Sequence, residues 1–132
     1  MKDSGENFSI RKRLASFKYA FSGLRRLIKH EHNSRFHLLA ALLVLAMGFI
    51  LGICRTEWMI LVIIIAIVFI TEILNSAIES LADFVSPEYS LIIKRVKDYC
   101  AAAVLIAAIT SVVVGLLIFL PKLIQILFSS NG

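Results

Sequence analysis

From Trp58 to Ile70 the chain carries no polar side chain. Two further apolar stretches flank this one, residues 38–54 and 99–120. A helix needs ~20 apolar residues to cross the hydrocarbon of a bilayer; the first and third stretches approach or meet that length, and the second does so only if the polar groups that follow it to about Phe84 are tolerated inside the protein. A chain of 132 residues cannot hide so much apolar surface in a single core of its own. The composition agrees: 59% of residues are hydrophobic, and the mean hydropathy is +0.87. These features predict an all-α integral membrane protein forming one domain. The expected spans are 38–54, 58–84 and 99–120, with Arg55, Thr56 and Glu57 as a very short first connection and the third helix stopping at Pro121.

Residues 8–30 ahead of the spans have a different pattern. Ile10, Leu14, Phe17, Phe21, Leu24 and Ile28 recur at spacings of three and four, and Arg11, Lys12, Lys18, Arg25 and Lys29 mostly fill the other side. This periodicity predicts an amphipathic helix lying in the membrane interface. Of the 14 Lys and Arg residues, nine lie at or before Arg35. Such a terminus suits an anionic lipid surface, and no nucleic-acid partner is expected. The 84–98 connection adds Lys94, Arg95 and Lys97, whereas the first connection has only Arg55 and the tail only Lys122. The asymmetry places the N-terminus and the 84–98 connection in the cytoplasm. Trp58 and Tyr99 read as anchors at the span ends, and Cys54 and Cys100 as small apolar side chains.

The second span carries an anomaly. Glu72, Asn75, Ser76, Glu79 and Asp83 fall within an arc of roughly 100° when wound as a helix, so they share one face. An isolated carboxylate in the bilayer costs a few kcal/mol, and three on one face require partners. Structural pairing with cations, or a helix that ends before Glu79, would be the plain accounts. The sharper one is a site for something cationic. Glu31 before the first span, and Lys97-Asp98 at the start of the third, lie at the same membrane edge. Carboxylates from two segments with lysines nearby suit magnesium carried on phosphates, because that ion takes oxygen ligands and bridges one or two carboxylates to phosphate groups. Glu72 is the most deeply placed acid and suits a base meeting a lipid hydroxyl. His30, His32 and His37 also admit a metal-site reading. The six glycines, at 5, 23, 48, 52, 115 and 132, form neither a Walker loop nor a kinase glycine loop.

The segment Glu72-Ile73-Leu74-Asn75-Ser76-Ala77-Ile78-Glu79, followed by Asp83, Lys97-Asp98 and Ala101-Ala102-Ala103-Val104, resembles the prokaryotic diacylglycerol kinase family, which includes the undecaprenol kinases. The resemblance runs from about Phe17 to Lys122. It implies a surface helix plus three transmembrane helices, assembled as a homotrimer in the bacterial inner membrane with active sites between subunits. It further implies an ATP-dependent kinase acting on a lipid alcohol, with Mg2+ as cofactor. Glu72 would be the base and contact the lipid substrate, and Asn75 would hold the hydroxyl or the γ-phosphate. Glu31 and Glu79 would bind magnesium with ATP. Lys97, Asp98, Tyr19 and Glu88 would contact the nucleotide. Of Arg11, Lys12 and Arg13, Lys12 best fits the spacing of a further ATP contact. Asp83 receives no role beyond holding a neighbouring cation.

Glu57-Trp58-Met59-Ile60 and the ending Gly115 to Leu123 resemble the undecaprenol kinase branch more closely than the enterobacterial diacylglycerol kinases. The competing function is a small oligomeric proton-coupled transporter, which needs one intramembrane carboxylate. It gives no reason for Glu31, Glu79, Lys97 and Asp98 to gather at one edge. A non-enzymatic interaction protein would explain Asn75 and Ser76 but not the buried acids.

Overall fold

The computed structural model describes residues 10–129, except for the side chains of Arg11 and Lys12. Four helices follow in order: α1 (Ile10–His30), α2 (His32–Ile50), α3 (Arg55–Val85) and α4 (Leu91–Ser129). The last three are each long and apolar enough to cross a membrane. Residues 8 and 9, placed in the first helix from sequence, lie outside the described residues.

A single residue separates α1 from α2. Glu31 is extended (φ −95°, ψ 116°), and its N–H donates to Leu27 O at 2.8 Å. The last carbonyls of a helix have no partner within it. Here the Arg35 guanidinium, one turn into α2, donates to Ile28 O (3.0 Å) and Lys29 O (2.5 Å). A cation at a helix C-terminus also meets the negative end of its dipole. Arg35 thereby fixes the angle at which α1 meets α2.

The first membrane connection lies earlier than the sequence suggested. It consists of residues 51–54, and Arg55, Thr56 and Glu57 form the first turn of α3. Two local closures account for this. Gly52 adopts φ +58°, and Ile53 N–H donates back to Gly48 O at 3.2 Å, which ends α2 in a Schellman motif. Glu57 accepts the Cys54 N–H at 2.7 Å, so it caps the start of α3 and is not part of the connection. Gly48 also leaves room for the Trp58 ring, whose nearest atom is 2.9 Å from where a Cβ would stand. Trp58 packs against Phe49 there, with ring centroids 4.7 Å apart.

Gly52→Ala should therefore destabilise the protein by about 1 kcal/mol, because an L side chain in this left-handed conformation is strained. Gly23→Ala, inside α1 with nothing within 4 Å of a new Cβ, should not. Thermal unfolding of the two variants in detergent checks the contrast.

The α3–α4 connection is shorter than the 84–98 segment read from sequence. Ser86 precedes Pro87, and a residue in that position is pushed out of helical backbone, so α3 ends at Val85. Helix α4 starts at Leu91, so Lys94, Arg95, Lys97 and Asp98 lie on its first turns and not in a loop. A Lys94–Asp98 ion pair at 2.9 Å, four residues apart, supports that turn. The expected stop at Pro121 is also overturned. Helix α4 continues through it to Ser129. Proline is tolerated in membrane helices when neighbours compensate for the lost hydrogen bond. The next residue, Lys122, pairs with Glu57 of α3 at 3.2 Å.

Helix α3 touches the other three and packs most extensively on α4. The buried cluster of Ile53, Leu61, Ile64, Ile118 and Phe119 gathers at the Trp58 end of the bundle. Most remaining large apolar side chains, Ile63, Ile70, Leu105 and Leu117 among them, are exposed, as suits lipid or further protein chains.

Candidate functional site

Helix α3 is unbroken through the polar stripe, so Glu79 is not released by an early helix end. At 1.5 Å per residue α3 is about 46 Å long against a hydrocarbon thickness of ~30 Å. Glu72 lies about 21 Å along the axis from Trp58, still within that thickness, while Glu79 and Asp83 lie progressively nearer the far edge. Burial follows the same order. Glu72 is 2% exposed, Asn75, Ser76 and Glu79 are half-buried, and Asp83 is exposed.

The partner of Glu72 comes from α2. His37 Nε2 lies 3.1 Å from Glu72 Oε1. The charges of Glu31, at the α1–α2 corner, and of Glu79, two turns along α3, act on the same carboxylate. Asn75 Oδ1 and Ser76 Oγ, on the same face, are buried without a hydrogen-bond partner. A buried acceptor left unpaired costs about 1–3 kcal/mol, so this face is prepared to receive a donor.

Beside this face, α1 and α3 enclose an open groove of about 630 Å³, with Arg26, His30 and Glu31 on one wall and Ser76 and Ser80 on the other. A narrower cleft of about 70 Å³ begins at His37 and runs between α2, α3 and α4. Its walls are apolar along Ala41, Val44, Leu61, Ile64 and Val68. The apolar cleft thus opens at the Glu72–His37 pair, while the groove carrying Glu31 lies on the other side of α3's polar face beside Ser76.

Residues 18–119 match the family described as prokaryotic diacylglycerol kinase. The chain belongs to the prokaryotic diacylglycerol kinase family. It is 41% identical to the undecaprenol kinase of Bacillus subtilis (strain 168) over 82% of this chain and 88% of that protein. It is 34% identical to a diacylglycerol kinase of Synechocystis sp., covering 86% of this chain and 66% of that protein. Identity to the diacylglycerol kinase of Escherichia coli (strain K12) is 37%, over 72% of this chain and 78% of that one. The protein is therefore a lipid kinase, performing ATP-dependent phosphoryl transfer to a membrane lipid.

In this diacylglycerol kinase family member the remaining charged residues are distributed as follows. Lys97 of α4 is ion-paired with Asp83 of α3, one turn beyond Glu79, which gives Asp83 the cation that the sequence left unnamed. Asp98 pairs with Lys94 on the outer side. Tyr19 (74% exposed) lies on the face of α1 that carries Gly23, Arg26 and His30 but does not line the groove itself, and neither does Glu88 in the α3–α4 connection. Lys12 is in α1, but its side chain lies outside the described ones. One chain therefore carries Glu72, Asn75 and Glu79 on one face of α3 with Glu31 acting on Glu72 from the α1–α2 corner, pairs Lys97 with Asp83 one turn further on, and leaves Glu88 and Asp98 outside the groove.

The three histidines do not converge. His32 stacks edge-on with Phe36 at 4.9 Å, His37 meets Glu72, and His30 lines the groove. Among the described residues no group of three or more His, Cys, Asp or Glu could hold a metal alone. Such a donor set fits magnesium brought in on nucleotide phosphates, where the protein supplies one or two carboxylates and the phosphates the rest. Sequence reasoning missed Arg26 and Ser80 as members of this region and offered His37 only as a metal ligand, not as the partner of Glu72. For His37 a signal existed. A hairpin turning about residues 52 and 53 sets residue 37 opposite residue 68, one helical turn from Glu72.

Proposed function

We propose that this protein phosphorylates undecaprenol on the cytoplasmic side of the bacterial inner membrane, using ATP with Mg2+, as a homotrimer. The observation that carries the reading is the enclosed Glu72, on which the charges of Glu31 in the α1–α3 groove and of Glu79 both act, held beside His37 at the mouth of the apolar cleft. A soluble nucleotide and a lipid alcohol approach from opposite media, and this arrangement offers each an entrance.

Glu72 accepts the proton of the lipid hydroxyl, and that oxygen attacks the γ-phosphorus as the bond to ADP breaks. Asn75 supplies an amide to the hydroxyl or to the γ-phosphate. Its unpaired Oδ1 supports the assignment. Glu31 and Glu79 would hold the magnesium that accompanies ATP, which would neutralise charge on its phosphates. Lys97, steadied by Asp83, meets the phosphates. Tyr19, Glu88, Asp98 and Lys12 complete the nucleotide contacts. Glu88 and Asp98 do not line the groove of one chain, which favours a site finished by a second copy.

Orientation rests on charge. Nine of the 14 basic residues lie at or before Arg35, and Lys94, Arg95 and Lys97 belong to the same end of the bundle. Helix α1 serves as an amphipathic surface helix, its exposed Leu14, Phe17 and Phe21 turned to lipid in the interface. Undecaprenol is favoured over diacylglycerol by the 41% identity to an undecaprenol kinase. The test is purified protein with labelled ATP, supplied with each lipid at equal mole fraction in mixed micelles. Faster phosphorylation of undecaprenol is the expected result. Equal or faster phosphorylation of diacylglycerol would reassign the substrate.

A further inference from the structure

His37 does not belong to the nucleotide contacts, to the stripe on α3 or to a metal cluster, yet it is the side chain nearest the deepest acid of the molecule. Its Nε2 lies 3.1 Å from Glu72 Oε1. Glu72 is almost wholly enclosed, with its side chain 3% exposed, and that of His37 is 23% exposed. Among the described residues no donor is aligned on the buried Glu72 Oε1. The same imidazole forms the mouth of the apolar cleft, whose walls continue through Ala41, Val44 and Val68. His37 thus touches the acid on one side and the apolar approach on the other.

We propose that His37 is a positioning residue for phosphoryl transfer: its Nε2–H donates to Glu72 Oε1 and holds the other carboxylate oxygen toward the incoming lipid hydroxyl. The inference rests on Glu72 acting as the base.

The need for such a device follows from the surroundings. Glu31 and Glu79 act as like charges on the Glu72 carboxylate, and α4 contributes only the uncharged Ser111 and Gly115 to the cleft that His37 lines. A carboxylate flanked by like charges turns away from them unless a donor fixes it. Neutral imidazole carries one N–H and one acceptor nitrogen, and contact with a carboxylate selects the tautomer with hydrogen on Nε2. Catalytic hydrogen bonds of this kind often align fully only in the substrate complex, so a 3.1 Å approach without an aimed N–H is a sufficient starting geometry. A base misplaced by about 1 Å can cost on the order of 100-fold in rate.

The amide nitrogen of glutamine reaches nearly the position of Nε2, whereas that of asparagine stops near Nδ1. This difference separates positioning from packing. In the full-length protein in mixed micelles, His37→Leu and His37→Asn should lower kcat by about 30- to 100-fold while KM for ATP changes less than about twofold. His37→Gln should recover to within about fivefold of the parent kcat. All three should keep the parent oligomer on size exclusion and its unfolding midpoint.

Retention of parent kcat by His37→Leu would overturn the inference, as would equal losses in the Gln and Asn variants. A loss that appears in KM for ATP would also overturn it. Glu72→Gln is assayed in parallel. An inactive Glu72→Gln with a fully active His37→Leu refutes the positioning role alone, whereas an active Glu72→Gln refutes the base beneath it.

Discussion

Glu72→Gln should lower lipid phosphorylation by about 100- to 10,000-fold, the range a general base contributes, while the protein still inserts and assembles. The amide is nearly isosteric and keeps a polar group beside His37, so the fold loses little. What it loses is the ability to take a proton. Turnover measured with labelled ATP, alongside size exclusion in detergent, separates these outcomes. Retained turnover would remove the base assignment. Added magnesium should not help this variant, because Glu72 is assigned to the hydroxyl and not to the metal.

Glu79→Gln should behave differently. Removing one of two carboxylates assigned to magnesium weakens the ion's hold without removing the base, so activity should fall by about 10- to 100-fold at ordinary magnesium. Raising magnesium should recover part of it, because an occupancy defect yields to mass action and a chemical one does not. The readout is the apparent KM for Mg2+, which should rise in Glu79→Gln and stay unchanged in Glu72→Gln. A Glu79→Gln variant whose loss ignores magnesium would take Glu79 out of the metal set.

The contrast between these acids was legible before any coordinates, because a helix of fixed pitch turns positions 72, 75, 76, 79 and 83 into a face and a depth scale. The apolar runs were equally plain, since lipid requires them. Helix ends were not. Lys94, Arg95, Lys97 and Asp98 read as a loop because hydropathy marks where hydrocarbon stops, whereas a helix stops where its hydrogen bonds lose partners. Pro121 misled for a related reason. The penalty for an internal proline is real, but α4 carries the helix past it, with Lys122 anchored on Glu57. His37 was hidden because its significance depends on a contact between helices 35 positions apart in sequence. Asp83 was ambiguous until α4 supplied Lys97.

The buried cluster of Ile53, Leu61, Ile64, Ile118 and Phe119 sits at the end of the bundle farthest from Glu79. Cohesion and chemistry are therefore segregated along the membrane normal. Substitutions that loosen the protein should concentrate near one leaflet and those that silence it near the other. Selection can then retune the reacting end for another lipid headgroup without drawing on the contacts that keep the helices together.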